Sequence, residues 1–109
     1  MEPKTIKFRD HLAKLVLAGE KNLTWRLFDD KNFQKGDVVD FINWNTMEPF
    51  AKAELVDVWE KKMGELEDSD FDGHEKFAND EEMYATYRTY YGGRVGPDTI
   101  VKIIRFKLI

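Results

Sequence analysis

The segment 17–28, LAGEKNLTWRLF, sets a lysine amine and a threonine hydroxyl three positions apart, with an arginine two residues further on. If residues 24–28 form a strand, Thr24 and Arg26 share one face and Trp25 takes the other. Lys21 sits in the turn just before them. A desolvated amine beside a cation such as Arg26 has a lowered pKa and can accept the threonine proton, which turns the hydroxyl into a nucleophile. A plainer reading covers the same residues. A helix C-terminus favours a lysine near its exposed carbonyls, and threonine suits the first position of a strand. On composition alone the plainer reading is the more economical.

The rest of the chain offers few other reactive groups. His11 and His74 are the only histidines, and His74-Glu75 has no second histidine four residues on, so there is no zinc-protease helix. There is no cysteine, which removes disulfides, thiolate metal sites and thiol catalysis and fits a cytoplasmic protein. No P-loop, dinucleotide-binding glycine fingerprint or calcium-loop pattern is present, so neither a metal nor a cofactor is expected. The formal net charge of −4 is unevenly spread: residues 60–82 hold ten acids against three lysines, and the remainder is net basic. The acidic run reads as a solvated loop. A nucleic-acid partner would have to meet a locally basic face elsewhere. No apolar run approaches the ~18 residues of a membrane span, and no signal-peptide pattern opens the chain.

The elements that must position these groups follow from periodicity. A length of 109 residues suits a single domain, 1–109. TIKF (5–8) reads as a short strand. RDHLAKLVLAG reads as a helix capped by Asp10 and stopped by Gly19, with Leu12, Leu15 and Val16 as its apolar stripe. TWRLF (24–28), VVDFINW (38–44) and FAKAELVDVWEKKM (50–63) have strand composition, and the last is long enough to bend. Trp44 and Trp59 fall in these strands and are most simply packing, although one could stack a flat base near a barrel opening. NDEEMYATYRTYYGG reads as a helix with capping-box spacing at Asn79 and Glu82, an apolar face of Met83, Tyr84, Tyr87, Tyr90 and Tyr91, and a stop at Gly92. TIVKIIRFKLI (99–109) carries apolar residues on both sides, as a central strand does. The order β-α-β-β-β-α-β is mostly β with flanking helices (α+β), and it suggests a small barrel of five or six strands with two or three helices.

Three segments in order resemble the ASCH (activating-signal-cointegrator homology) family. The signature Gly-x-Lys-x-x-Thr-x-Arg is matched by Gly19, Lys21, Thr24 and Arg26. DGHEKFANDEEMYATYRTYYGG is similar to the family's acidic segment, capped helix and tyrosine-glycine end, and VKIIRFKL to its last strand. The resemblance implies a PUA-like β-barrel and an RNA or modified-nucleoside partner. One small bacterial branch, of similar length, is an N(4)-acetylcytidine amidohydrolase whose reactive residues are a lysine, a threonine and a downstream glutamate. Its lysine and threonine carry over onto Lys21 and Thr24, and its glutamate falls best on Glu75 after a small gap.

The implied mechanism has Lys21 accept the Thr24 proton, Thr24 attack the acetyl carbonyl, and Glu75 protonate the leaving exocyclic nitrogen. Arg26, as a substrate-binding residue, would orient the carbonyl or stabilise the negative charge that develops on it. A free lysine titrates near ~10.4, so the scheme demands a desolvated pocket. The chain departs from that branch at GHEKF and in the longer YYGGRVGPDT. The alternative implied by the resemblance is a non-catalytic module that binds RNA or a nucleotide in the same cleft. In both cases a monomer is expected, acting without a membrane.

Overall fold

The computed structural model describes residues 4–28, 31–72, 74 and 76–109. The strands are β1 (Lys4–Phe8), β2 (Leu23–Leu27), β3 (Val38–Asn43), β4 (Pro49–Lys62) and β5 (Ile100–Leu108). Helix α1 (Asp10–Leu17) joins β1 to β2, and α2 (Asp80–Tyr91) precedes β5. Two short 3-10 turns, Met63–Glu65 and Asp68–Phe71, lie between β4 and α2. One sheet, in the order β1-β3-β4-β5-β2, curls into a half-barrel flanked by the helices, as a PUA-like small barrel does. Only the β1–β3 pair is parallel; β3–β4, β4–β5 and β5–β2 are antiparallel. β1 and β2 follow one another in sequence yet form the two opposite edges of the sheet.

The sheet has apolar side chains on both faces, which explains the composition of β5. Ile104 and Phe106 pack on one face with Ile6, Phe8, Val39, Phe41 and Leu55, and with Ala13 and Val16 of α1. Val101 and Ile103 pack on the other with Leu23, Trp25 and Leu27 of β2 and with Met83 and Tyr87 of α2. β5 therefore sits between β4 and β2 with both faces covered. The 14-residue β4 serves two neighbours by breaking register with β5 between Leu55 and Asp57, a bulge that lets a long strand bend.

The turn after α1 is set by its glycine. Gly19 has φ +78°, its N–H donates to Val16 O at 3.1 Å, and the Glu20 N–H donates to Leu15 O at 3.0 Å. This is a Schellman stop, which closes the helix carbonyls and turns the chain so that Lys21 leads into β2. The start of α1 differs from the sequence expectation. Arg9, in extended conformation, takes the cap position, and Asp10 is the first helical residue. The Asp10 N–H is taken at 2.8 Å by Oδ1 of Asn45, from the β3–β4 connection, while its carboxylate accepts from Asn43 and pairs with Lys14. In α2, Asn79 does cap by accepting from the Glu82 N–H at 2.9 Å, but the Glu82 carboxylate reaches the Ala78 N–H rather than that of Asn79. Gly92, at φ +93°, follows its last residue.

The acidic run is not wholly a solvated loop. Most of its carboxylates are exposed, but Asp70 is buried with a side chain only 3% exposed. It accepts from Lys61 Nζ at 2.8 Å, the Glu67 N–H at 2.9 Å and the Trp59 indole at 3.2 Å, while its backbone carbonyl accepts from the Trp25 indole at 3.2 Å. Burial would raise its pKa. The hydrogen bonds from Lys61, the Glu67 N–H and Trp59, with the Lys61 charge, outweigh that and hold it below the usual carboxylate range.

Two expectations follow. At Gly19 nothing lies within 4 Å of an added Cβ, so Gly19→Ala meets backbone strain alone. It should lower unfolding free energy by about 1 kcal/mol, read from urea denaturation, with Gly19→Asn costing less. Asp70 binds its proton more weakly folded than unfolded. Its stabilisation is therefore present above the unfolded value of ~3.9 and is lost as pH falls through the lower folded value. Asp70→Asn should cost about 2 kcal/mol at pH 7 and flatten the acid limb of the stability profile. An unchanged acid limb would reject this role.

Candidate functional site

Because β1 and β2 are the two open edges of the half-barrel, a seam lies between them. It is a cleft of about 550 Å³. Arg26 of β2 spans it: Nη2 donates to Lys7 O of β1 at 2.7 Å, Nη1 donates to Trp25 O at 3.1 Å, and the guanidinium lies 5.2 Å from the Phe8 ring centroid. Lys31 Nζ donates to Thr5 O at 2.9 Å, so cationic side chains occupy two carbonyls of β1.

Lys21 and Thr24 both line this cleft and both are buried, at 3% and 2% exposure. The Lys21 amine folds back over the start of β2 and donates to Leu23 O at 2.8 Å. Thr24 is held in register opposite Ile104 of β5, on the same face as Arg26. The structure thus brings Lys21, Thr24 and Arg26 to one cavity. Glu75, the expected acid, lies outside the described residues.

A cleft that runs over a sheet edge meets side chains from both faces. Thr24 and Arg26 come from one. From the other, the buried His74 and Tyr87 also line the cleft. The His74 ring stacks on Trp25 at 4.1 Å and 15°, Tyr87 stacks on the same indole at 5.6 Å, and His74 Nε2 and Tyr87 Oη are 3.2 Å apart. The Trp25 indole is itself anchored by the backbone carbonyl of Asp70, so the residue whose carboxylate is buried also steadies the aromatic wall.

The mouth is aromatic and basic. Trp44 lies one residue past β3, is 48% exposed and lines the cleft, so it is not the packing residue its composition suggested. Lys7 Nζ lies 5.2 Å and the Arg9 guanidinium 5.7 Å from its ring, and Arg9 also lies 4.9 Å from Tyr90. Trp59, by contrast, is packed against the Asp70 network. Among the described residues the lining holds Lys7, Arg9, Lys21, Arg26 and Lys31 and no carboxylate. No three His, Asp or Glu side chains among the described residues converge as a metal site. Among the described residues no helix is long and apolar enough to cross a membrane.

Sequence reasoning missed His74, Tyr87, Lys7, Arg9 and the exposure of Trp44. The alternation of Lys7 and Arg9 with Ile6 and Phe8 was a readable sign that these two cations share a side. Nothing in the sequence paired His74 with Trp25.

No protein-family model matches the chain, and no curated protein matches it in sequence. Solved structures do. An Enterococcus faecalis V583 protein of the DUF984 family superposes with a TM-score of 0.80 at 18% identity, over 100% of this chain and 81% of that one. The hypothetical protein PH0355 gives 0.74 at 19% identity, over 99% and 100%. The ASCH domain from Lactobacillus crispatus JV V101 gives 0.70 at 16% identity, over 96% and 79%. The chain has the fold of an ASCH domain, as the resemblance of its three segments implied.

Proposed function

We propose that the seam cleft takes a pyrimidine nucleoside bearing an acyl group on its exocyclic nitrogen, and that the protein is an amidohydrolase of N(4)-acetylcytidine-like nucleosides. The observation that carries this reading is the burial of Lys21 and Thr24 together in one cleft, at 3% and 2% exposure, beside an aromatic wall. A volume of about 550 Å³ lies in the range of small-molecule sites.

In this reading Lys21, in its neutral form, takes the Thr24 proton. Thr24 Oγ1 adds to the acetyl carbon, and the carbonyl oxygen takes up the charge near Arg26. Collapse breaks the carbon–nitrogen bond as Glu75, assigned by sequence match, protonates the departing amine of cytidine. Water then cleaves the acetyl-threonine ester, returning Thr24 and releasing acetate.

A second reading, a non-catalytic module for RNA or a nucleotide, is favoured by the cations at the mouth. Incubation with N(4)-acetylcytidine separates the two. The hydrolase should release cytidine and acetate, and Thr24→Ala and Lys21→Ala should each lower kcat/KM by about 10³-fold or more. No turnover at high enzyme concentration, with binding retained, would reject the hydrolase in favour of the module. Turnover surviving Thr24→Ala would reject Thr24 as the nucleophile.

A further inference from the structure

We propose that the cleft mouth is a phosphate subsite formed by Lys7 and Arg9 on the face of Trp44, so that the ligand is a nucleotide rather than a free nucleoside. The proposal rests on the reading that a nucleoside occupies the cleft, and it adds the charge that nucleoside must carry.

Lys7 in β1 and Arg9, one residue past its end in extended conformation, stand two residues and so about 6.6 Å apart along the chain. Their cationic heads nevertheless gather on one ring, at 5.2 and 5.7 Å from the Trp44 centroid. Arg9 is also held over Tyr90 at 4.9 Å. No carboxylate among the described residues pairs with either cation. Aromatic faces orient a cation without discharging it, whereas a carboxylate would cancel it. Two like charges brought to one exposed ring repel each other, and an anion placed between them removes that repulsion.

The sum of the site points the same way. Lys7 and Arg9 both line the cleft and sit at the exposed Trp44, so their fields add where an anionic ligand enters. Phosphate suits this pair better than a carboxylate: its oxygens accept from the Arg9 fork and from the Lys7 ammonium at once. The deep end offers an aromatic wall and the Lys21–Thr24 pair, and the mouth offers charge. A base with its sugar phosphate has that polarity.

The test measures dissociation constants by calorimetry for cytidine, N(4)-acetylcytidine and their 5′- and 3′-monophosphates, with inorganic phosphate alone as a control. The readout is the ratio of nucleoside to nucleotide affinity in each protein. In the unmodified chain at least one monophosphate should bind about tenfold tighter or better than its nucleoside, and added salt should shrink that gain. Lys7→Gln with Arg9→Gln should bring the ratio to about one. Lys107→Gln, at an exposed lysine that does not line the cleft and pairs with Glu54, should leave it unchanged. A short acetylated oligonucleotide identifies the source of the phosphate: no further gain over the mononucleotide means a free nucleotide, and a further gain dependent on Lys7 and Arg9 means an RNA phosphate. Equal binding of nucleoside and both monophosphates, or a gain that survives the double substitution, overturns the subsite. If neither nucleoside nor nucleotide binds, the subsite and the nucleoside reading fall together. A phosphate gain without acetate release overturns the hydrolase and leaves the subsite standing.

Discussion

The hydrogen bond from Arg26 to the Lys7 carbonyl holds together a sheet that does not close. Closing a barrel by backbone ladder would leave no opening between β1 and β2. Leaving it open exposes strand edges, whose polar groups need partners. Here side chains from elsewhere supply them: Arg26 meets Lys7 O and Lys31 meets Thr5 O. The consequence is electrostatic as well as structural. Donors that can reach an edge carbonyl while remaining charged make the seam basic, in a chain whose net charge is −4. The opening and its positive potential share one cause.

A second constraint acts from the far face of β2. Trp25 is fully buried, and it can present a flat stack of His74 and Tyr87 toward the seam only if its indole is fixed. Asp70 fixes it through its carbonyl, and Asp70 is itself fixed by Trp59, Lys61 and the Glu67 N–H. A buried carboxylate in the acidic segment therefore supports the wall of a basic cleft. The two charge regions that look separate along the chain are mechanically joined through one indole.

The fold is shared with proteins at 16–19% identity, and a shared fold does not carry a shared reaction. What argues for chemistry here is local: an amine and a hydroxyl, both buried, at a cavity with an aromatic side and a cationic mouth. Arg26 combines two duties in that setting. It lines the cavity and braces its edges, so its removal would disturb geometry as well as charge.

Local rules made much of the chain legible. Gly19 and Gly92 mark helix ends because their positive φ is a backbone property that sequence advertises. The two-sided apolar pattern of β5 announced a central strand, and strand alternation placed Thr24 with Arg26 and apart from Trp25. The identity of the Asp10 partner was not legible, because the acceptor of its N–H is an asparagine supplied by a distant hairpin connection. The burial of Asp70 was hidden for the same reason: its neighbours in sequence are solvated, and its ligands come from β4 and β2. Sequence alone thus determined the elements, their punctuation and the Lys21–Thr24–Arg26 spacing, since these depend on contacts a few residues long. Only the tertiary structure decided that β1 and β2 meet as unpaired edges, that His74 stacks on Trp25, and that Trp44 stands exposed beside two cations. Those outcomes depend on how far the sheet curls, and curl is a property of all five strands together.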